Sequence, residues 1–172
     1  VRFGGALAVS SATIGARIIY EALGLWGGEI VFPALTFISP IAEAIHAGMT
    51  PVFADVDRGS FNMTVETLDR VVTKRTRAVV VTHYAGLPCE MDEILMYCSM
   101  KGIRVIEDAA HALPASYRSM PIGTLRSDAT FFSFYATKPL STGEGGMIVS
   151  WNDELIKECR RLSLHGFDKD AY

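Results

Sequence analysis

The chain has 172 residues, of which 49% are apolar and 20% charged, with 16 basic against 19 acidic residues and a formal charge of −3. That length supports one domain with a sizeable core, and the composition excludes a disordered chain. With no run of like charge, the balance argues against nucleic acid or a membrane surface as the main partner.

Three cysteines, Cys89, Cys98 and Cys159, form no CxxC pair. They point away from a disulfide framework or structural zinc and toward a reducing, cytoplasmic compartment. No apolar run is long enough to span a bilayer. At the N-terminus, Ser10, Ser11, Thr13, Arg17 and Glu21 interrupt the apolar residues, which excludes a signal peptide. The sequence begins at Val1 rather than methionine, so a piece of a longer protein is expected.

Strand-like and helix-like segments alternate along the chain. "ALAVS" (6–10) reads as a buried strand, and 11–23 as a helix with Ile14, Ile18, Ile19, Ala22 and Leu23 at helical spacing. After "GLWGG" comes a strand at 29–32. The next helix is predicted over 39–48, with Ser39 as N-cap, Pro40 at its first position and Gly48 past its end. A third strand at 51–57 leads to a helix over 64–73 capped by Thr64, and a fourth at 78–84 to a helix ending near Gly102. Strands at 103–108, 129–134 and 146–150 follow, and a last helix at 153–164. Continuous apolar strands between amphipathic helices predict an α/β domain with a parallel sheet covered on both faces.

Two connections stand out. Residues 108–128 show no helical pattern, and loops of that length in a compact domain are usually functional. The link 134–145 is too short for a right-handed crossover, so the seventh strand is expected to run antiparallel. Lys138 lies in that link, between "FSFYAT" and "PLSTGEGG".

Ligands of open α/β sheets bind beyond the carboxyl ends of the strands. Thr13, Asp108, Ser133 and Lys138 all fall at such ends. Each alone has an ordinary reading: a lysine as a solvated charge, an aspartate as a turn residue, a Ser-Ala-Thr as a helix cap. Together they suit pyridoxal 5'-phosphate, which needs an amine for a Schiff base, a carboxylate for its ring nitrogen, and a helix N-terminus with hydroxyls for its phosphate.

"VIEDAAHA" followed by "FFSFYATKPLSTGEGGMIVS" resembles the core motif of the nucleotide-sugar aminotransferases of the DegT/DnrJ family, fold-type I pyridoxal phosphate enzymes. "AVSSAT", "FPALTFISPIAEAIHAGMTPVFADVD", "KRTRAVVVTHYAGLPCEMDEI" and "LSLHGFDKDAY" match the same family in order, so the resemblance spans residues 1–172. It implies the three-layer α/β/α large domain of that fold type, with a mostly parallel seven-stranded sheet and one antiparallel strand. It also implies that Lys138 is the Schiff-base lysine and moves protons, and that Asp108 pairs with the ring nitrogen. Ser133, Thr13 and the Ile14 N–H would bind the phosphate, Phe37 would stack on the ring, and His111 would lie close to it. No third ligand accompanies Asp108 and His111, so no metal is expected.

Dehydrating relatives carry histidine at the lysine position. Lys138 therefore implies amino transfer, from an amino acid such as glutamate to a nucleotide-linked keto sugar, with 4-keto sugars of cell-envelope glycans favoured. Relative to the family, the N-terminal closing segment, the stretch that reaches the partner subunit and the C-terminal small domain are missing. "GLWGGEIVFPA" is one residue short, and Pro40 and Glu43 replace more usual residues. A homodimer is expected for the longer form, and weak or no turnover for this piece alone. The competing readings are a catalytically silent fragment, a sugar dehydratase, and an unrelated nucleotide-binding domain. The last lacks the glycine spacing such sites need.

Overall fold

A computed structural model describes residues 4–167. The "DKDAY" end of the last matching motif lies outside the described residues. β1 (Gly5–Val9) leads into α1 (Ala12–Ala22), β2 (Glu29–Pro33) into α2 (Ile38–His46), and β3 (Thr50–Ala54) into the short α3 (Val65–Asp69). β4 (Thr76–Thr82), α4 (Met91–Lys101) and β5 (Arg104–Asp108) follow. Two short strands, β6 (Ser116–Tyr117) and β7 (Met120–Pro121), precede β8 (Ala129–Ser133), β9 (Gly146–Ser150) and α5 (Asp153–Ser163).

The seven long strands form one sheet in the order β1-β9-β8-β5-β4-β2-β3. β9 runs antiparallel to both β1 and β8, and the remaining pairs are parallel, as the short 134–145 connection requires. Alternate residues of each strand face opposite layers. Ala78 and Val80 of β4 join Ile19, Ala44 and Ile156 of α1, α2 and α5 in one core; Val79 and Val81 join Leu68, Ile94 and Cys98 of α3 and α4 in the other. The architecture is the expected three-layer α/β/α domain. All three cysteines are buried and free. Among the described residues, no helix is long and apolar enough to cross a membrane.

Several local bounds differ, β3 ending at Ala54 rather than 57 and β4 at Thr82 rather than 84 among them. α2 starts at Ile38 with Phe37 at the N-cap, so Ser39 and Pro40 occupy its second and third positions. Proline fits there because the first four helical N–H groups have no partner to lose. α3 ends at Asp69 rather than 73, beyond which the Thr73 N–H bonds to Thr76 Oγ1 and the Thr73 hydroxyl to Glu29 Oε2. Inside the loop at 108–128, β6 and β7 form a hairpin around Arg118 and Ser119, both at positive φ (46° and 67°). The usual Asn-Gly or Asp-Gly signature of such a turn is absent.

Candidate active site

Strand alternation sets the floor of the site. Asp108 shares a face with Ile106, Ser133 with Phe131, and Thr82 with Val80, and that face is the one α1 covers. At the carboxyl ends of β4, β5 and β8 these side chains open into a cavity of about 590 Å³. Its wall also includes Ser11, Thr13, Phe37, His111 and Lys138.

Asp108 is only 3% exposed. Its Oδ1 accepts the Ala110 N–H at 3.0 Å. Burial lifts its carboxyl to about 6, against smaller opposing effects led by the Ala110 hydrogen bond. Among the described residues, no lysine, arginine or histidine nitrogen forms an ion pair with it. A buried acid that carries no cation partner and faces a cavity suits a cationic or protonated group in that cavity.

The N-terminus of α1 forms another side. Its first turn carries no acidic residue, so the positive end of the helix dipole is not offset. Ser11 is the N-cap, and its Oγ accepts the Ile14 N–H at 3.2 Å. Strand β9 passes against this turn because Gly146 has no side chain. A Cβ there would lie 2.7 Å from Ala12 N and Ser11 C. With the Thr13 and Ser133 hydroxyls alongside, this corner can take an anion.

Lys138 rides on the β8–β9 connection. The Phe134 N–H bonds to the Gly145 carbonyl at 2.9 Å, the Thr142 N–H to the Phe134 carbonyl at 3.0 Å, and the Lys138 N–H to the Tyr135 carbonyl at 2.9 Å. Gly145 sits at φ 148°, where a side chain would be strained and would meet Thr142 Oγ1 at 2.8 Å. The Lys138 Nζ lies 3.0 Å from His111 Nε2. Partial burial and the neighbouring lysine charge both press the His111 pKa down, so the neutral ring can accept a hydrogen bond from the ammonium.

Six of the seven residues picked from sequence therefore line one cavity: Thr13, Phe37, Asp108, His111, Ser133 and Lys138. Phe37 stands at the rim, 69% exposed. Ile14 is not brought to the wall, and its N–H is occupied by Ser11. Sequence reasoning left out Ser11, Tyr84 and the Thr36–Thr82 pair, whose hydroxyls are 2.9 Å apart. Thr82 was readable from its parity with Val80; Thr36 and Tyr84 lie in turns with no periodic signal. Among the described residues, no cluster of three His, Cys, Asp or Glu side chains could hold a metal.

An amine, a buried carboxylate, an aromatic edge and a helix N-terminus around one cavity match the groups pyridoxal 5'-phosphate presents. The fit rests on the unpaired Asp108 carboxylate and the unoffset α1 dipole.

The model of the DegT/DnrJ/EryC1/StrS aminotransferase family matches residues 1–172. The spore coat polysaccharide biosynthesis protein SpsC of Bacillus subtilis is 46% identical over 168 residues, 97% of this chain and 43% of its own. Among solved structures, DesI with its TDP-sugar product superposes with a TM-score of 0.91 at 38% identity, covering 99% of this chain and 42% of that one. A Streptococcus pneumoniae protein described as a sugar aminotransferase, in its PLP form, gives 0.87 at 29%, covering 95% and 47%. The chain spans less than half the length of these relatives.

Proposed function

This chain belongs to the DegT/DnrJ/EryC1/StrS aminotransferase family, and on that premise we propose that it is the cofactor-binding part of a pyridoxal phosphate-dependent aminotransferase acting on a nucleotide-linked keto sugar. The observation that carries the reading is the buried, unpaired Asp108 on the same cavity as Lys138 and the α1 N-terminus.

Bound pyridoxal phosphate supplies an electron sink for negative charge developing on the substrate carbon and carries the amino group between substrates. Asp108 would keep the ring nitrogen protonated, and that positive charge in turn favours the ionised carboxylate. Ser11, Thr13 and Ser133 would hold the phosphate at the positive end of α1. Phe37 at the rim would cover one face of the ring. Lys138 Nζ would anchor the resting cofactor, then hold and move the proton at the substrate carbon. His111, with its pKa pressed down, would accept a hydrogen bond from Lys138 and fix where that nitrogen waits.

Glutamate as donor and a nucleotide-linked keto sugar as acceptor follow from the family resemblance, with support from DesI's TDP-sugar product and SpsC's polysaccharide pathway. Among the described cavity-lining residues, Lys138 is the one fixed positive charge. The donor's carboxylates and the nucleotide diphosphate would need cations from the rest of a longer protein or from a second subunit. Exposed Phe37, Ile38 and Ile14 at 69%, 66% and 42% beside the cavity support a homodimer that covers this rim. The same shortage of cations favours a second reading, in which this piece binds cofactor but does not turn over.

The test supplies the chain with pyridoxal phosphate, L-glutamate and a TDP-linked 4-keto hexose, and follows 2-oxoglutarate and amino sugar by mass spectrometry. Amino sugar that requires Lys138 supports the main reading. Bound cofactor without 2-oxoglutarate supports the second. Failure to bind cofactor would remove both.

A further inference from the structure

On the opposite face of the sheet from the cavity lies a polar cluster that the proposed chemistry does not use. His83 and Glu107 are both 0% exposed, and Nε2 of one lies 2.8 Å from Oε2 of the other. His83 Nδ1 accepts the Cys89 N–H at 3.1 Å, so the ring's proton must sit on Nε2 and be donated to Glu107. Glu107 Oε1 accepts from Ser127 Oγ and, at 3.0 Å, from Thr130 Oγ1. Glu107 thus collects three hydrogen bonds, and the His83 ring offers one acceptor and one donor. The Cys89 thiol, pushed up to about 12 by burial and the nearby carboxylates, takes no part as a thiolate.

This arrangement aims at the site through the turn it closes. Between His83 and Cys89 the chain forms a tight loop with Ala85 at φ 51° and Gly86 at φ 84°. Asn62, 3% exposed, pins the same loop at two points, accepting the Tyr84 N–H and donating to the Leu87 carbonyl. Tyr84 lines the cavity. The Gly86 backbone sits so close to His111 that a Cβ on it would lie 2.9 Å from the His111 carbonyl oxygen. The His83 N–H also bonds to the Asp108 carbonyl at 3.1 Å.

We propose that His83, anchored on Glu107, is a positioning residue that fixes the 84–89 turn beneath His111 and so sets where His111 meets Lys138. The Nδ1 bond to the Cys89 N–H holds the turn itself, and the Nε2 bond to Glu107 holds the ring. The proposal's consequence for cofactor binding rests on the reading above, but its structural content does not.

Two substitutions separate the ends of the ring. His83→Asn keeps an acceptor where Nδ1 stands and loses the donor to Glu107. His83→Gln keeps a donor that reaches Glu107 and loses the acceptor for Cys89. In the cofactor-free chain, 15N spectra should show wild-type His83 unprotonated at Nδ1. In His83→Gln the Cys89 amide should exchange about tenfold faster, the effect of one lost hydrogen bond, and the His111 titration midpoint should rise toward its ordinary value. His83→Asn should lower the urea midpoint yet leave both readouts near wild type. With pyridoxal phosphate, His83→Gln should weaken binding about 10- to 100-fold, the range seen when residues that orient metal ligands are removed.

A protonated Nδ1 in the wild type overturns the proposal. So does a His111 midpoint that is unchanged in His83→Gln, or that moves equally in both variants. Wild-type chain that fails to bind cofactor, while the cofactor-free readouts behave as expected, would sink the functional reading and leave the positioning role standing.

Discussion

Replacing Asp108 with asparagine should stabilise the cofactor-free chain. Burial lifts the Asp108 carboxyl from 3.8 to about 6. At about 1.4 kcal/mol per tenfold change in the protonation equilibrium, the ionised form costs the empty fold about 3 kcal/mol. Because the folded pKa lies above the unfolded one, this cost is absent below pH 3.8, grows as pH rises toward 6, and is complete above that. Asparagine carries no charge and keeps an oxygen for the Ala110 N–H. The stability gap between Asp108→Asn and wild type should therefore open between about pH 4 and 6 and stay level to pH 8. For a chain of 172 residues it corresponds to about 6–12 °C in Tm. Urea melts at half-unit pH intervals measure it, with the difference between the two proteins cancelling other titrations. Saturating pyridoxal phosphate should then narrow or reverse the order, since only the wild type gains a charged partner for the ring nitrogen; at 100 times Kd a bound ligand adds about 2.7 kcal/mol. An Asp108→Asn protein no more stable than wild type at pH 7.5, or stabilised equally at pH 4.5, would refute the reasoning.

Gly146→Ala should cost about 1–3 kcal/mol, because its Cβ would meet backbone atoms of Ser11, Ala12 and Phe132 within 2.9 Å. An unchanged urea midpoint would show that β9 does not crowd the α1 turn. Ser133→Ala and Thr13→Val should each weaken pyridoxal phosphate binding about tenfold, the worth of a hydrogen bond to a charged group, and leave binding of phosphate-free pyridoxal unchanged in fluorescence titrations. Equal losses for both ligands would place the hydroxyls elsewhere. In Lys138→Ala, the His111 midpoint read by NMR should rise, since the lysine charge is one of two causes holding it down. No movement would mean the two side chains do not meet in solution.

Most of the fold was legible because the strands are continuous apolar runs and the helices carry regular stripes. The direction of β9 followed from connection length alone. Asp108, Ser133 and Lys138 could be placed because residues at the carboxyl ends of such strands share one rim. What sequence hid was chemistry without periodicity. Pro40 marks the third position of α2 rather than the first, because any of the early positions spares its missing N–H. The β6–β7 hairpin turns on Arg118 and Ser119, side chains that seldom take left-handed backbone. The N-cap bond from the Ile14 N–H to the Ser11 hydroxyl likewise has no periodic signal. The His83–Glu107 bond joins residues 24 positions apart across neighbouring strands, and no pattern along the chain announces such a pair.

The central claim is that Lys138 is aimed into a cofactor site. Its most direct test adds pyridoxal phosphate to the purified chain, records the visible spectrum, reduces with borohydride and maps the modified peptide. The account predicts a shifted absorption band and a single label on Lys138, both lost in Lys138→Ala. No band, or label scattered over surface lysines, would contradict it.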